Sequence, residues 1–321
     1  MTARAIRFIL ATCLFSLIVP SAARAGPSAI PGREGWVFPA WELEAVADAQ
    51  PAARLIGQAS ALLERHGMHL VVALTPAKIR IHPEHLPADL RPPDGFAPGM
   101  TRQVEALRQA GVEVVDLSIP LLAAKPRPQF HKTDSHWNID AATRAARAVA
   151  DRIRTRTWYG MLPAPSGPAS PLSSPREVRH IGDLAALLPD VPGAGHYKTA
   201  ENILVYREPS ERMLLDDAEP ASDVMVIGSS FAEPKWGFPQ ALGMALERPV
   251  GLLYSLGSYG YWYTLLDYLR SADFRAARPP VLVLQITESA LPNLPDSAAW
   301  KRSLKHLPPG EWLRQLELAL R

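Results

Sequence analysis

Four short apolar runs constrain this chain more than any other feature: HLVVALTP (69–76), VEVVDL (112–117), DVMVIG (223–228) and VLVLQI (281–286). A short run of this kind, bounded by turn signals, reads as a strand buried on both faces. Helical spacing fills stretches between and beside them, at residues 52–66, 102–110, 141–153, 238–246 and 262–271. Strands that alternate with helices need crossovers, and crossovers cover both faces of a parallel sheet. The expected class is therefore α/β, with a central, mainly parallel sheet. With 47% hydrophobic residues, the chain can bury one large core or two modest ones.

Between residues 161 and 220 this pattern weakens, and Pro163, Pro165, Pro168, Pro171 and Pro175 crowd together. That segment reads as an irregular excursion from the α/β core, a small cap or lid. No internal repeat is present.

The N-terminus carries Arg4 and Arg7, an apolar run at 8–19, and Ala23 and Ala25 around Arg24. This is the three-part pattern of a secretory signal. The run falls short of the roughly 20 residues that span a bilayer, and Pro20 closes it. Cleavage after Ala25 is expected, giving a periplasmic protein of residues 26–321; an uncleaved N-terminal inner-membrane anchor is the alternative. Removing residues 1–25 takes away three arginines and no acids, moving the formal charge from +2 to −1. A nucleic-acid partner then has no dense basic face to bind. Cys13, the single cysteine, lies inside the apolar run, where Thr12 makes a poor lipoprotein signal. The exported chain is expected to have no disulfide framework, no thiolate metal site and no cysteine nucleophile.

Three elements carry candidate chemistry. The strand at 223–228 runs into Gly228-Ser229-Ser230-Phe231, at the carboxyl edge of the sheet, where open α/β folds place ligands and nucleophiles. Ser230 could be a nucleophile there, with its N–H near a helix start; on this motif alone a turn or capping serine is the simpler reading. The cluster His131-Lys132-Thr133-Asp134-Ser135-His136-Trp137-Asn138 precedes an alanine-rich helix. A serine hydroxyl needs an imidazole to take its proton, and the imidazole works best when a carboxylate fixes its tautomer. Asp134 and His136 could meet across a tight loop and fill those roles. Asp134 could instead cap a helix and His136 lie satisfied in the core. A third reading takes His131, Asp134 and His136 as metal ligands, but no matching fourth ligand stands out. The loop at 255–262 mixes Gly257 and Gly260 with Tyr259, Tyr261 and Trp262, residue types that let backbone approach a substrate and offer faces for sugar rings.

Together these segments resemble the alginate O-acetyltransferase AlgJ/AlgX family, periplasmic proteins of the SGNH hydrolase-like fold. The likeness begins at Gly35-Trp36-Val37-Phe38. It runs through LVVALTPAK (70–78), HPEHLP (82–87), Asp134-Ser135-His136-Trp137, Gly182-Asp183-Leu184 and Gly228-Ser229-Ser230-Phe231. The Asp-x-His-Trp block and the later Gly-x-Ser-Phe block are its specific part. The resemblance implies a three-layer SGNH-like fold, Ser230 as acetyl carrier, His136 as base and then acid, and Asp134 as the residue that orients His136. It implies an exopolysaccharide as acceptor, a membrane-bound O-acyltransferase as acetyl donor, a place in a polysaccharide biosynthesis or export complex, and no metal or other cofactor. Gly228, Ser229, Tyr259, Gly260 and Trp137 are candidates for oxyanion or substrate binding.

The chain departs from the pattern of related hydrolases: the order is Asp-His-Ser, Ser229 stands where they often carry Asp, no asparagine block supplies an oxyanion donor, and Leu284-Gln285 replaces the family's Trp-Glu pair. By the short stretch after the last expected strand the chain is expected to be AlgJ-like, without the C-terminal carbohydrate-binding module of AlgX-like members. A carbohydrate acetylesterase with the same triad, or a non-catalytic scaffold, would carry the same motifs.

Overall fold

The computed structural model describes residues 28–189, 194–206, 222–300 and 306–321. The expected signal at 1–25, with Cys13, and the end of the expected insertion at 207–220 lie outside the described residues. The strands are β1 (Ala29–Pro31), β2 (Val37–Pro39), β3 (His69–Thr75), β4 (Glu113–Asp116), β5 (Arg176–His180), β6 (Glu201–Val205), β7 (Val224–Gly228), β8 (Val250–Tyr254) and β9 (Val281–Thr287). The longer helices are α1 (Gln50–Arg65), α2 (Phe96–Gln109), α3 (Ile139–Arg154), α4 (Phe238–Leu246), α5 (Tyr261–Arg270) and α6 (Pro309–Leu320).

The four apolar runs form β3, β4, β7 and β9, and with β8 they build one sheet in the order β4-β3-β9-β7-β8, every pair parallel. The last strand, β9, fills the centre. Because side chains alternate along a strand, each run serves two cores. Leu70, Val72 and Leu74 of β3, Ile227 of β7, and Leu282, Leu284 and Ile286 of β9 pack with α1, α2, α5 and α6. Val71, Ala73, Val224, Val226, Val281 and Val283 face the opposite way and pack with α3 and α4. The result is the three-layer α/β/α arrangement expected from the sequence. Among the described residues no helix is long and apolar enough to cross a membrane.

Helix α3 sets the position of the loop before it. Ala141, Ala142, Ala145, Ala146 and Ala150 are all fully buried, and their small side chains let α3 lie close against the sheet and α4. Asn138 caps it, accepting the Ala141 N–H at 2.9 Å, so the helix starts at Ile139, two residues after Trp137.

Residues 161–220 are irregular only in part. Residues 162–175 contain no helix or strand, but β5 and β6 pair as an antiparallel ladder from Arg176–Val205 to His180–Glu201. Ile203 and Val205 bury one side of this ladder in the α3/α4 core. The Pro-rich approach hides that regularity in the sequence, because β5 has little apolar content of its own. At Gly182 the excursion touches the main domain: an added Cβ would lie 2.1 Å from the backbone of Thr133.

Two blocks that carried the family resemblance meet here. The Trp36 ring stacks on His85 with centroids 4.5 Å apart and lies 4.5 Å from His82. Beside it, Lys78 is fully buried, and its ammonium donates to the carbonyls of Val37 (2.7 Å), Lys132 (2.9 Å) and Asp134 (2.9 Å). Three protons meet three acceptors, which joins β2 to the loop at 132–134. Replacing Lys78 with Met leaves those carbonyls without their donor. We expect Lys78→Met to lose about 2–3 kcal/mol of stability, read as a lower urea midpoint with an unchanged slope.

Candidate active site

The turn after β7 presents Ser230. Gly228 permits this turn: an added Cβ there would lie 2.6 Å from the Ala232 Cβ. Ser229 is tied down, its N–H and hydroxyl both donating to the Gln285 side-chain oxygen of β9 at 3.0 and 2.8 Å. Gln285 in turn donates to the Thr75 hydroxyl of β3 at 2.9 Å. The position that departs from the family's Trp-Glu pair therefore ties the serine turn to the centre of the sheet. With Ser229 held, Ser230 is free to face the histidine loop. A single 3-10 turn, Ser230–Ala232, follows, rather than the regular helix expected at that point.

In that loop, His136 Nε2 lies 2.7 Å from the Ser230 hydroxyl oxygen, and His136 Nδ1 lies 2.6 Å from Asp134 Oδ1. The loop is closed by the His131 N–H donating to the His136 carbonyl at 3.2 Å and by a bridge between Phe130 and Trp137. The His136 backbone N–H also donates to Asp134 Oδ1 at 2.9 Å. The ring stacks on Trp236 at 5.4 Å and 23°, and leans on Phe231 at 4.9 Å. The Trp137 indole, fully buried, donates to the Phe231 carbonyl at 3.0 Å and joins the histidine loop to the serine turn. A carboxylate on Nδ1 holds the proton there, which leaves the Nε2 lone pair for the serine O–H. The arrangement can deprotonate a serine as it attacks an electrophile.

Electrostatics favour a charge-separated pair. Burial drives the Asp134 carboxyl upward, but the hydrogen bonds from His136 and His180 outweigh it and hold the group well below the usual carboxylate range. Burial drives the His136 imidazole downward, and the bond and charge of Asp134, helped by Asp183 and Glu233, reverse that and raise it above its ordinary value.

The structure thus brings Asp134, His136 and Ser230 together. Gly228, Ser229 and Trp137 hold the turn and the loop in place. Tyr259 and Gly260 are engaged elsewhere. The Tyr259 hydroxyl donates to Asp267, and the Gly260 carbonyl accepts from Tyr263 and Thr264, with Trp300 packed where a Gly260 side chain would be. Gly260, at φ +89°, is there to start α5 under Trp300.

Among the described residues two clusters have the composition of a metal site, and in each a histidine is already engaged with a neighbour. Asp134, His136 and Asp183 come together, but the His136 Nδ1 proton is already committed to Asp134. In the second cluster, His82, Glu84 and His85, the His82 Nε2 accepts the Gln129 N–H at 3.0 Å, so its Nδ1 carries the proton towards Glu84. His131, grouped with Asp134 and His136 in the metal reading, turns its ring against Trp236 at 5.1 Å.

His180, Asp183 and Lys78 join the site without a distinctive local signature for that role, although the last two sit in the blocks that resemble the family. His180 Nε2 lies 2.6 Å from Asp134 Oδ2. Asp183 accepts the Ser135 N–H at 2.7 Å and hydroxyl at 2.5 Å. The available signal was His180-Ile181-Gly182-Asp183 itself, a histidine and an acid around a glycine.

Residues 29–288 match the family model of the SGNH hydrolase-like domain of the acetyltransferase AlgX. A probable alginate O-acetylase AlgJ of Pseudomonas putida is 30% identical over 307 residues, which cover 91% of this chain and 75% of that protein. The protein of the same name from Pseudomonas aeruginosa is 27% identical over 303 residues, 87% of this chain and 75% of that one. The solved O-acetyltransferase domain of Pseudomonas putida AlgJ aligns with a TM-score of 0.73 at 29% identity, covering 91% of this chain and 99% of that one. Pseudomonas aeruginosa AlgX aligns with a TM-score of 0.60 at 19% identity, over 81% of this chain and 62% of that one, a likeness of fold.

A protonated His136 cannot accept the serine proton, so Ser230 reactivity should rise with pH. Its midpoint should lie above the ordinary histidine value of 6.5, since the pair raises it. In Asp134→Asn the burial remains and the raising partner is gone. The midpoint should therefore fall, and the plateau rate should drop by about 10³–10⁴-fold. Labelling of Ser230 by an activated acetyl ester across pH checks both.

Proposed function

The chain belongs to the SGNH hydrolase-like AlgX acetyltransferase family, and from that premise we propose that it moves an acetyl group through Ser230 onto hydroxyls of an exopolysaccharide. The observation that carries this reading is the unbroken chain of bonds from Ser230 through His136 to Asp134, 2.7 and 2.6 Å long. In the first half-reaction the Ser230 hydroxyl oxygen attacks the acetyl carbonyl of the donor while His136 takes its proton. His136 returns that proton to the donor's leaving group, and acetyl-Ser230 remains. In the second half-reaction His136 takes the proton of a sugar hydroxyl, whose oxygen attacks the acetyl carbon. Collapse releases the acetylated sugar and the Ser230 alkoxide, which recovers the proton from His136.

The relatives' names make an alginate-like polyuronate the first acceptor to test. The donor side is assigned to a membrane-bound O-acyltransferase, and the protein to a polysaccharide biosynthesis or export complex. Location in the periplasm rests on the signal pattern at 1–25. Residues 26–321 form the catalytic unit in this reading, with 161–220 as its insertion.

Incubation of the purified protein with an activated acetyl ester and an oligosaccharide should yield acetylated oligosaccharide by mass spectrometry. Ser230→Ala and His136→Ala should each lower the yield by about 10³-fold or more while the circular dichroism spectrum is retained. Free acetate with no acetylated sugar under any donor would make the protein an esterase. Polymer acetylation that survives Ser230→Ala in cells would make it a scaffold.

A further inference from the structure

Asp134 carries two imidazoles. His136 occupies Oδ1 and His180 occupies Oδ2, each at 2.6 Å, and Asp134 itself is only 3% exposed. His180 comes from the last residue of β5, in the insertion, far in sequence from the histidine loop. Its placement is not accidental to one bond, because the insertion is pinned on both sides of Asp134. Thr133 donates its hydroxyl to Glu201 of β6 at 2.9 Å, and its carbonyl accepts the Ala185 N–H at 3.1 Å. Ser135 donates to Asp183 from both its backbone and its hydroxyl. The Asp183 N–H reaches Asp134 Oδ2 at 3.4 Å, and Gly182 admits this approach.

We propose that His180 is a positioning residue for the reaction: by donating Nε2–H to Asp134 Oδ2, it fixes the carboxylate that orients His136 and holds back part of that carboxylate's charge. This rests on the acyl-transfer reading of Ser230 given above. Without His180, Asp134 Oδ2 keeps only the long Asp183 N–H contact, which leaves the buried carboxylate less well satisfied and freer to rotate about its last bond. With His180 on the second oxygen, the plane of the carboxylate is set and its first oxygen points along the His136 Nδ1–H. Donation to Oδ2 also weakens the attraction of Asp134 for a proton on His136. Whether His180 is neutral or cationic, its removal makes His136 a stronger base and a less well oriented one. The other charged or titratable groups facing this pair are Asp183, Glu201 and His131 around the loop, Lys78 on the Asp134 carbonyl, and Glu233 after the serine turn. All of them remain in a His180 variant.

The test measures hydrolysis of an activated acetyl ester across pH, with the Ser230→Ala rate subtracted. His180→Leu should lower kcat by about ten- to a hundredfold, the scale of one charge-assisted hydrogen bond, and leave KM nearly unchanged. Its pH midpoint should move upward by on the order of one unit. His180→Gln retains an N–H that can reach Oδ2 and should recover most of the rate and the original midpoint. A folded His180→Leu protein with the parent kcat and midpoint would overturn the proposal, and so would a His180→Gln protein as impaired as His180→Leu with no shift in midpoint. A second measurement covers a Leu variant that fails to fold. In the Ser230→Ala background, ¹⁵N-histidine NMR should show His136 titrating higher in His180→Asn, whose amide is too short to reach, than in His180→Gln. Equal values would refute the role. If the parent protein shows no Ser230-dependent acylation, the acyl-transfer reading fails, while the NMR titration still reports whether His180 acts on His136.

Discussion

A single buried carboxylate organises this protein's candidate site. Asp134 collects N–H donors from the His136 ring, the His136 backbone, the His180 ring and the Asp183 backbone, and its own carbonyl accepts from Lys78. An ionised carboxylate is expensive to bury unless each oxygen is met by a donor. Meeting that demand draws together parts of the chain that no local propensity would unite: the loop before α3 and the insertion. The same demand fixes the His136 tautomer, and with it the direction in which the serine proton can move.

The scaffold delivers the partners of that carboxylate through ordinary packing. The β7 strand ends in Gly228, where the chain can turn tightly enough to bring Ser230 over the sheet's edge. The alanine face of α3 lets the helix lie close, and its Asn138 cap sets where the preceding loop must stop. Trp137 bonds across to the serine turn, and Trp236 lies flat beside the imidazole. Gln285 is the least expected member. At the centre of the sheet, between Thr75 and Ser229, it satisfies a buried amide while anchoring the residue next to the nucleophile.

Much of the fold was legible in the chain. Runs such as those at 69–76 and 281–286 read as buried strands because they are short, rich in valine and bounded by turn signals. The order in which the strands pair was not legible, since the run at 281–286 says nothing about its place between β3 and β7. The antiparallel ladder of β5 and β6 was hidden as well. Arg176, Glu177, Arg179 and His180 give β5 almost no apolar pattern, and the ladder is held by its partner strand and by Ile203 and Val205 beneath it.

The site divides along the same line. Asp134 and His136 lie two residues apart, so their pairing needed only a tight loop, and Ser230 at a strand-to-turn junction had a local signature. Those parts, with the parallel α/β class, were set by the sequence alone, because short-range spacing and burial pattern determine them. Tertiary structure decided that Gln285 anchors Ser229 beside Ser230, that Tyr259 and Gly260 contact α5, and that His180 completes Asp134. Each of those outcomes depends on contacts between residues far apart in the chain, and such contacts exist only after the two cores have closed around the sheet.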